Sequence, residues 1–190
     1  SRQLAAAQHA EEQEARKFAA AATEVLAAKE SLKPADLELV FGRQTAGMFL
    51  QNSTEIAVRV SRIRRKFAQQ YGFVIPEVKI SDDVSISAKS YQIKIHGTIV
   101  ASGELRPGEV LVVYGVGPRP KFPGDLVSEP AFGMPAMWVP EMYTVGLRQD
   151  NFAPVDNASV LLTHLAEVAR ANLAQLFSFR DLRSLIDRLD

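Results

Sequence analysis

Ser90-Tyr91-Gln92-Ile93-Lys94-Ile95-His96-Gly97-Thr98-Ile99-Val100-Ala101-Ser102-Gly103 is the stretch on which the fold turns. Tyr91, Ile93 and Ile95 alternate with polar neighbours, the two-residue period of a strand with one buried face. Residues 99–103, after Gly97, supply a second strand. Arg106-Pro107-Gly108 then marks the clearest internal boundary of the chain.

Upstream of this stretch the period changes. Between Glu55 and Tyr71 the apolar positions Ile56, Val60, Ile63 and Phe67 fall four, three and four apart, one stripe on a helix. Asn52-Ser53-Thr54 offers N-cap candidates, and Gly72 is the C-terminal stop. Residues 37–41 alternate Leu37, Leu39 and Phe41 against Glu38 and Val40, which predicts a short half-buried strand. Residues 42–53 read as loop. A further strand is expected over 73–80, where Pro76 lacks a ladder donor and so implies an edge or a bend. Asp82-Asp83 follows as a turn.

Downstream of the boundary, 110–113 reads as a strand. Residues 115–124 hold three prolines and three glycines and read as loop. Residues 127–139 are short extended pieces broken by Pro130, Gly133 and Pro135, and 142–151 a short helix. Residues 158–177 form an amphipathic helix on Val160, Leu161, Leu165, Val168, Leu173 and Leu176. A second helix is expected over 180–189. Helices and strands occur without βαβ regularity, so the class is α+β, with one small unit inserted in another.

At the other end, residues 3–30 are rich in Ala, Glu, Gln and Lys, with no Gly or Pro before Pro34. Their only larger apolar residues are Leu4, Phe18, Val25 and Leu26. The segment reads as a linker helix that leans on a partner surface, or equally as a solvated helix. The chain begins and ends inside helical pattern and has the look of a piece of a longer protein.

Composition sets the outer limits. With 47% hydrophobic and 23% charged residues a packed core is expected. The 22 basic and 22 acidic residues cancel, which gives no general attraction to nucleic acid or anionic lipid. The absence of cysteine removes disulfides, thiolate zinc sites and cysteine nucleophiles. No run approaches the ~20 apolar residues that span a bilayer.

Catalytic constellations are missing from the pattern. His9, His96 and His164 stand far apart in sequence, and His164 with Glu167 is a poor metal pair without further ligands nearby. Asp82-Asp83 lacks the alternating oxygens of a calcium loop. Gly115-Val116-Gly117 is followed at once by proline, with no helix to cradle phosphate. No enzyme activity, metal or cofactor is expected. The basic run Arg59, Arg62, Arg64, Arg65 and Lys66 would fan around the helix face opposite the apolar stripe. It reads either as a phosphate-binding surface or as a solvated face pairing with carboxylates such as Asp36 or Glu38, and the neutral net charge favours the second.

Glu129-Pro130-Ala131-Phe132-Gly133-Met134-Pro135-Ala136-Met137-Trp138 is the most unusual segment. Phe, Trp and two Met crowd a stretch whose prolines and glycine keep it irregular. Two readings stand side by side. In one, Phe132 and Trp138 pin a small unit with little core of its own. In the other, Phe132, Met134 and Trp138 belong to an exposed docking patch, for which adaptable Met and rigid aromatics are suited.

Several of these stretches, taken in order, carry a resemblance. They are Arg62-Ile63-Arg64-Arg65-Lys66 through Gly72-Phe73-Val74-Ile75-Pro76, then Asp82, Tyr91-Gln92-Ile93, Pro107-Gly108, the segment 129–139, and Thr163-His164-Leu165. Together they cover residues 37–190. They resemble the cytosolic part of the FlhA family of flagellar type III export-gate proteins and, more distantly, its injectisome relatives. The resemblance implies a parent with an N-terminal membrane part, and a cytosolic region of four subdomains on the cytoplasmic face of the bacterial inner membrane, assembling into a nine-membered ring. It divides this chain into a linker (1–36), a first subdomain (37–107 with 157–176), an inserted second subdomain (108–156) and the start of a third (177–190). Hinges between the first two are expected at residues 106–108 and 154–157. The implied function is docking of export chaperone–substrate complexes, alongside other export-apparatus components, at an apolar dimple. Glu129, Phe132 and Thr163 match the dimple motif, with burial around Phe132 and polar registry from Glu129 and Thr163 at the rim. The family's common aspartate is Glu129 here, and its Arg-Gln-Glu near the end is Phe179-Arg180-Asp181. No nucleic-acid partner is implied, and the fragment alone is expected to be monomeric or weakly associated.

Overall fold

The computed structural model describes residues 2–32, 35–72 and 74–176. Helix α1 (Arg2–Leu32) stands as a unit of its own, separate from the unit that begins at Ala35. The linker-helix expectation is therefore met as a helix, and Phe18 on it is exposed. The expected turn at Pro34, the start of a strand at Phe73 and the terminal segment 177–190, with its helix 180–189, lie outside the described residues.

In the second unit, β1 (Leu37–Phe41) leads through α2 (Arg43–Phe49) and a short 3-10 turn to α3 (Ser53–Tyr71). Then come β2 (Val78–Asp82), β3 (Ser90–Ile95) and β4 (Thr98–Glu104). These four strands form one mixed sheet in the order β2-β1-β3-β4, with β1 parallel to β2 and antiparallel to β3. The path from β1 through α3 to β2 is thus a single parallel crossover inside an otherwise antiparallel sheet. β1 is central, and Val40 is buried together with Leu37, Leu39 and Phe41. The half-buried expectation is corrected, because a strand flanked on both sides and covered on both faces loses its alternation.

The stripe on α3 holds: Ile56, Val60 and Phe67 are buried. Gly72 closes the helix at φ 79°, the left-handed conformation that glycine adopts without a Cβ penalty, and its N–H donates to the Ala68 carbonyl. Of the expected loop 42–53, residues 43–53 are helical. The Gly42 N–H donates to the Ser90 carbonyl at 2.9 Å, and the Gln44 and Thr45 N–H groups donate to the Ala88 carbonyl. The expected strand over 73–80 starts at Val78, beyond Pro76, and runs through Asp82; Asp83 then begins the turn, its carboxylate accepting from the Ser85 N–H and hydroxyl.

After β4 the chain builds a second, three-stranded sheet from β5 (Glu109–Val113), β6 (Asp125–Ser128) and β7 (Pro135–Pro140), ordered β5-β7-β6 and antiparallel throughout. Helix α4 (Thr144–Gln149) follows, then α5 (Asn157–Ala171) and the short α6 (Leu173–Leu176). The expected helix 158–177 is therefore interrupted at Asn172. The class is α+β.

The pleat of β7 explains how the sheets join. Ala136 and Trp138 face the large core, with Leu111 of β5, the apolar faces of α3 and α5, and the first sheet. Met137 and Val139, one residue out of phase, face a smaller cluster with Val112 and Leu147 of α4. The central strand β7 is buried on both faces, and one of those faces belongs to the core of the four-stranded sheet.

Two crossings connect the sheets, at 104–109 and 155–157, and one side chain ties them. The Asn157 Nδ2 donates to the carbonyls of Arg106 (2.9 Å) and Glu109 (3.0 Å), while its Oδ1 accepts from the Arg106 N–H (2.8 Å). The residues predicted as hinges are thus hydrogen-bonded to each other.

Candidate functional site

The connection from β6 to β7 is closed mostly by one residue. The Glu129 N–H donates to the Met134 carbonyl (2.8 Å), and the Gly133 N–H donates to the Glu129 carbonyl (2.8 Å). The Glu129 carboxylate then accepts from the N–H groups of Ala131 (2.5 Å) and Phe132 (2.9 Å). Gly133 sits at φ 70°, which a residue with a Cβ adopts only under strain. Backbone donors that a six-residue connection would leave unsatisfied are therefore bonded to a carboxylate within the same connection.

The five predicted site residues stand in four different settings. Phe132 and Met134 are exposed, Phe132 at 61% and Met134 at 45%. Trp138 is 3% exposed and packed in the large core, so it anchors the sheet and offers no docking surface. Of the three residues expected in an exposed patch, Phe132 and Met134 are at the surface and Trp138 is a core residue. Glu129 is buried and occupied by its own loop. The rim position expected for it is not where its carboxylate lies; its bonds hold the backbone from which Phe132 projects.

Thr163 is exposed on α5 and lines a shallow cavity of about 220 Å³ with Arg59, Arg62, Ile63, Ser159 and Leu162. The next residue, His164, points inward. Its Nδ1 lies 2.7 Å from the Tyr91 hydroxyl, both side chains buried. Desolvation holds the His164 imidazole below its ordinary pKa, with the Glu129 charge opposing in part. Burial pushes the Tyr91 phenol well up, and Glu129 adds to the shift. With its proton on Nε2 the neutral imidazole accepts at Nδ1 and the tyrosine donates. Glu129 thus acts electrostatically on a pair formed by β3 and α5, which links the β6–β7 connection to the first sheet.

Room for that pair comes from a glycine that sequence reading passed over. Gly103 lies opposite Tyr91 in the β3–β4 ladder, and a Cβ there would stand 2.4 Å from the Tyr91 hydroxyl oxygen. The Tyr91 ring occupies the space above β4 that only glycine leaves open. Nothing in the local pattern at 103 announces this. The opposing residue is known only once the register is.

The basic run is partly structural. Arg59 donates to the Ser159 hydroxyl at 2.7 Å and approaches Asp156 at 3.8 Å, and the Arg64 Nε donates to the Ile75 carbonyl at 3.1 Å. The expected partners were different: Asp36 instead pairs with His96, and Glu38 accepts from the Ser81 hydroxyl. Arg62, Arg65 and Lys66 remain exposed. Glu167 is turned to Arg170, not toward His164. Among the described residues no group of three or more His, Cys, Asp or Glu is placed to hold a metal ion, and no helix is long and apolar enough to cross a membrane.

The fold, a mixed four-stranded sheet joined to a three-stranded one, is shared with solved structures. The structure of the Chlamydia pneumoniae CdsV protein superposes with a TM-score of 0.70 at 19% identity, over 82% of this chain and 46% of that one. A cytoplasmic domain of Salmonella InvA gives 0.55 at 17% identity, over 82% of this chain and 90% of that one. The chain belongs to the FHIPEP family, which it matches over residues 1–190; this is the type III export-gate family that includes the flagellar protein FlhA. Flagellar biosynthesis protein FlhA of Caulobacter vibrioides is 31% identical over 166 residues, 87% of this chain and 24% of that protein. FlhA of Proteus mirabilis is 33% identical over 135 residues, 71% of this chain and 19% of that protein. The chain spans about a fifth of the length of the curated relatives it matches.

Proposed function

We propose that this region is a docking platform of a type III protein export gate, receiving export chaperone–substrate complexes on the cytoplasmic face of the inner membrane. Its parent would be of the flagellar branch, since FlhA proteins are the relatives that match at about 30% identity. Residues 37–107 with 157–176 would form one subdomain and 108–156 the inserted second.

The observation that carries this reading is Phe132. A phenylalanine 61% exposed on a loop braced by its own buried glutamate is held ready for a partner instead of collapsing into the core. An immobilised aromatic loses little conformational entropy on binding, which is how interface anchors gain their weight. Met134 beside it supplies an adaptable apolar neighbour, and the exposed Thr163 a polar contact on α5.

Other partners follow from the relatives. A CdsV and CdsO complex and a nonameric SctV-C are among the solved structures of this fold. By analogy the full-length parent would meet further export components and self-associate in a ring, through parts this chain holds only in part.

The test is a titration of the 190-residue chain with cargo-loaded flagellar export chaperones, beside the Phe132→Ala variant. Saturable binding weakened by about 1–3 kcal/mol in the variant is the expected result. Binding unchanged by the substitution would remove Phe132 from the interface.

A further inference from the structure

The three-stranded sheet has one covered edge and one open one. On the β5 side, the Leu111 N–H donates to the Val155 carbonyl at 2.9 Å and the Val155 N–H to the Leu111 carbonyl at 2.8 Å. On the far side, β6 makes no backbone hydrogen bond beyond its ladder with β7 among the described residues. Alternate residues of an antiparallel strand turn N–H and C=O away from their partner, so β6 presents unpaired donors and acceptors at strand spacing.

Beside β6, over the sheet face that carries Leu126 and its β7 partner Met137, lies a cavity of about 840 Å³, formed with the loop that precedes β6 and lined in part by Arg119, Lys121 and Phe122. Its floor is apolar and fixed. Phe122 packs on Tyr143 at 5.5 Å between ring centroids, and Leu126 is half-exposed. Its charge is of one sign, since the described lining carries two exposed cations and no carboxylate. The neighbouring Asp125 does not neutralise them, because its carboxylate is held by Arg106.

We propose that β6 and this cavity form a strand-addition site for an extended, acidic segment of a protein partner. The partner backbone pairs with β6, an apolar side chain settles on Phe122 and Leu126, and its carboxylates meet Arg119 and Lys121. A nucleic acid would satisfy the two cations, but only a polypeptide carries donors and acceptors that match a strand edge. The site is separate from the Phe132 loop and does not rest on the docking reading.

The probe is a fluorescein-labelled peptide, Thr-Glu-Thr-Phe-Thr-Glu-Thr, whose Phe and two Glu share one strand face, titrated against the 190-residue chain and followed by anisotropy. Controls are the same peptide N-methylated at alternate amides, a lysine-for-glutamate version and a single-stranded oligonucleotide. Saturable binding is expected, with about a tenfold or greater loss on N-methylation and in the Arg119→Glu/Lys121→Glu variant. Phe132→Ala should leave it unchanged. Both reversed positions are exposed, so circular dichroism should report an intact fold. The proposal is overturned by no saturable binding, by indifference to N-methylation, or by an oligonucleotide that binds more tightly than the acidic peptide.

Discussion

The Tyr91 hydroxyl and the His164 Nδ1 are joined at 2.7 Å across the interface of sheet and helix, 73 residues apart in sequence and buried on both sides. This pair lies next to Thr163 and within electrostatic reach of Glu129, so the predicted docking residues share a polar foundation inside the core.

That foundation is sensitive to acid, with a definite sign. Desolvation lowers the folded-state pKa of His164 below 6.5. Above that pH the imidazole is neutral in both folded and unfolded chains. As pH falls through 6.5 the unfolded chain takes up a proton that the folded chain refuses, so stability declines, by up to about 1.4 kcal/mol per pH unit, until the folded pKa is reached. Asp156 acts in a lower window. Burial opposes its charge, but the Ser159 hydrogen bonds and Arg59 hold its pKa below 3.8, so its contribution is lost only in stronger acid. His164→Asn keeps an acceptor toward Tyr91 and cannot titrate. Urea unfolding between about pH 5 and 7 should show a flatter slope in this variant than in the native chain; equal slopes would mean that another group sets the acid response.

Gly103→Ala tests the other half of the pair. The added Cβ would meet the Tyr91 ring at 2.4 to 2.8 Å, and Tyr91 is fully buried with no room to retreat. The ring must shift, which strains the core and breaks the bond to His164. A loss of about 2–4 kcal/mol is expected from overpacking plus an unsatisfied buried acceptor. An alanine variant as stable as the parent in thermal unfolding would show that β4 yields easily at this point.

These elements differ in how far the sequence announced them. The stripe Ile56, Val60, Phe67 and the alternation Tyr91, Ile93, Ile95 were readable because one buried face imposes its period. Residues 43–49 were not: a seven-residue helix containing Gly47 has too few turns to display a period, and its place is set by the Ala88 carbonyl 43 residues away. Trp138 looked equally fit for a surface or a core, because its facing depends on the register of β7 against β5. Glu129 could be matched to a motif, yet its partners are backbone N–H groups, which no side-chain pattern records.

Glu129→Ala should loosen the loop without unfolding the chain. The amides of Ala131 and Phe132 would lose their acceptor while remaining close enough to the surface to find water, so the damage is local. Hydrogen exchange at these two amides should accelerate by about five- to 150-fold, the range set by about 1–3 kcal/mol of lost protection. Chaperone binding should weaken with Phe132 still present, since the aromatic would no longer be held in place. Unchanged exchange would mean that the backbone hydrogen bonds between Glu129, Gly133 and Met134 suffice to order the loop.

Asn157 offers the sharpest discrimination, because the chemistry of each of its atoms is fixed by its partners. The Arg106 N–H can only donate, so the side-chain oxygen faces it; the carbonyls of Arg106 and Glu109 can only accept, so the amide nitrogen faces them. Asn157→Ala removes all three bonds and should cost about 2–4 kcal/mol. Asn157→Asp keeps the shape but turns an acceptor oxygen toward two carbonyls, and at neutral pH should be less stable than the alanine variant despite its closer size. Protonation converts that oxygen to a donor, so the deficit of aspartate relative to alanine should shrink on acidification. Denaturation of both variants at neutral and mildly acidic pH decides the matter: an aspartate variant more stable than alanine at neutral pH would show that water reaches the crossing and screens it. If the predicted ordering holds, the two crossings between the sheets act as one tied junction. Relative motion of the sheets would then require breaking the Asn157 bonds first, rather than swinging each crossing independently.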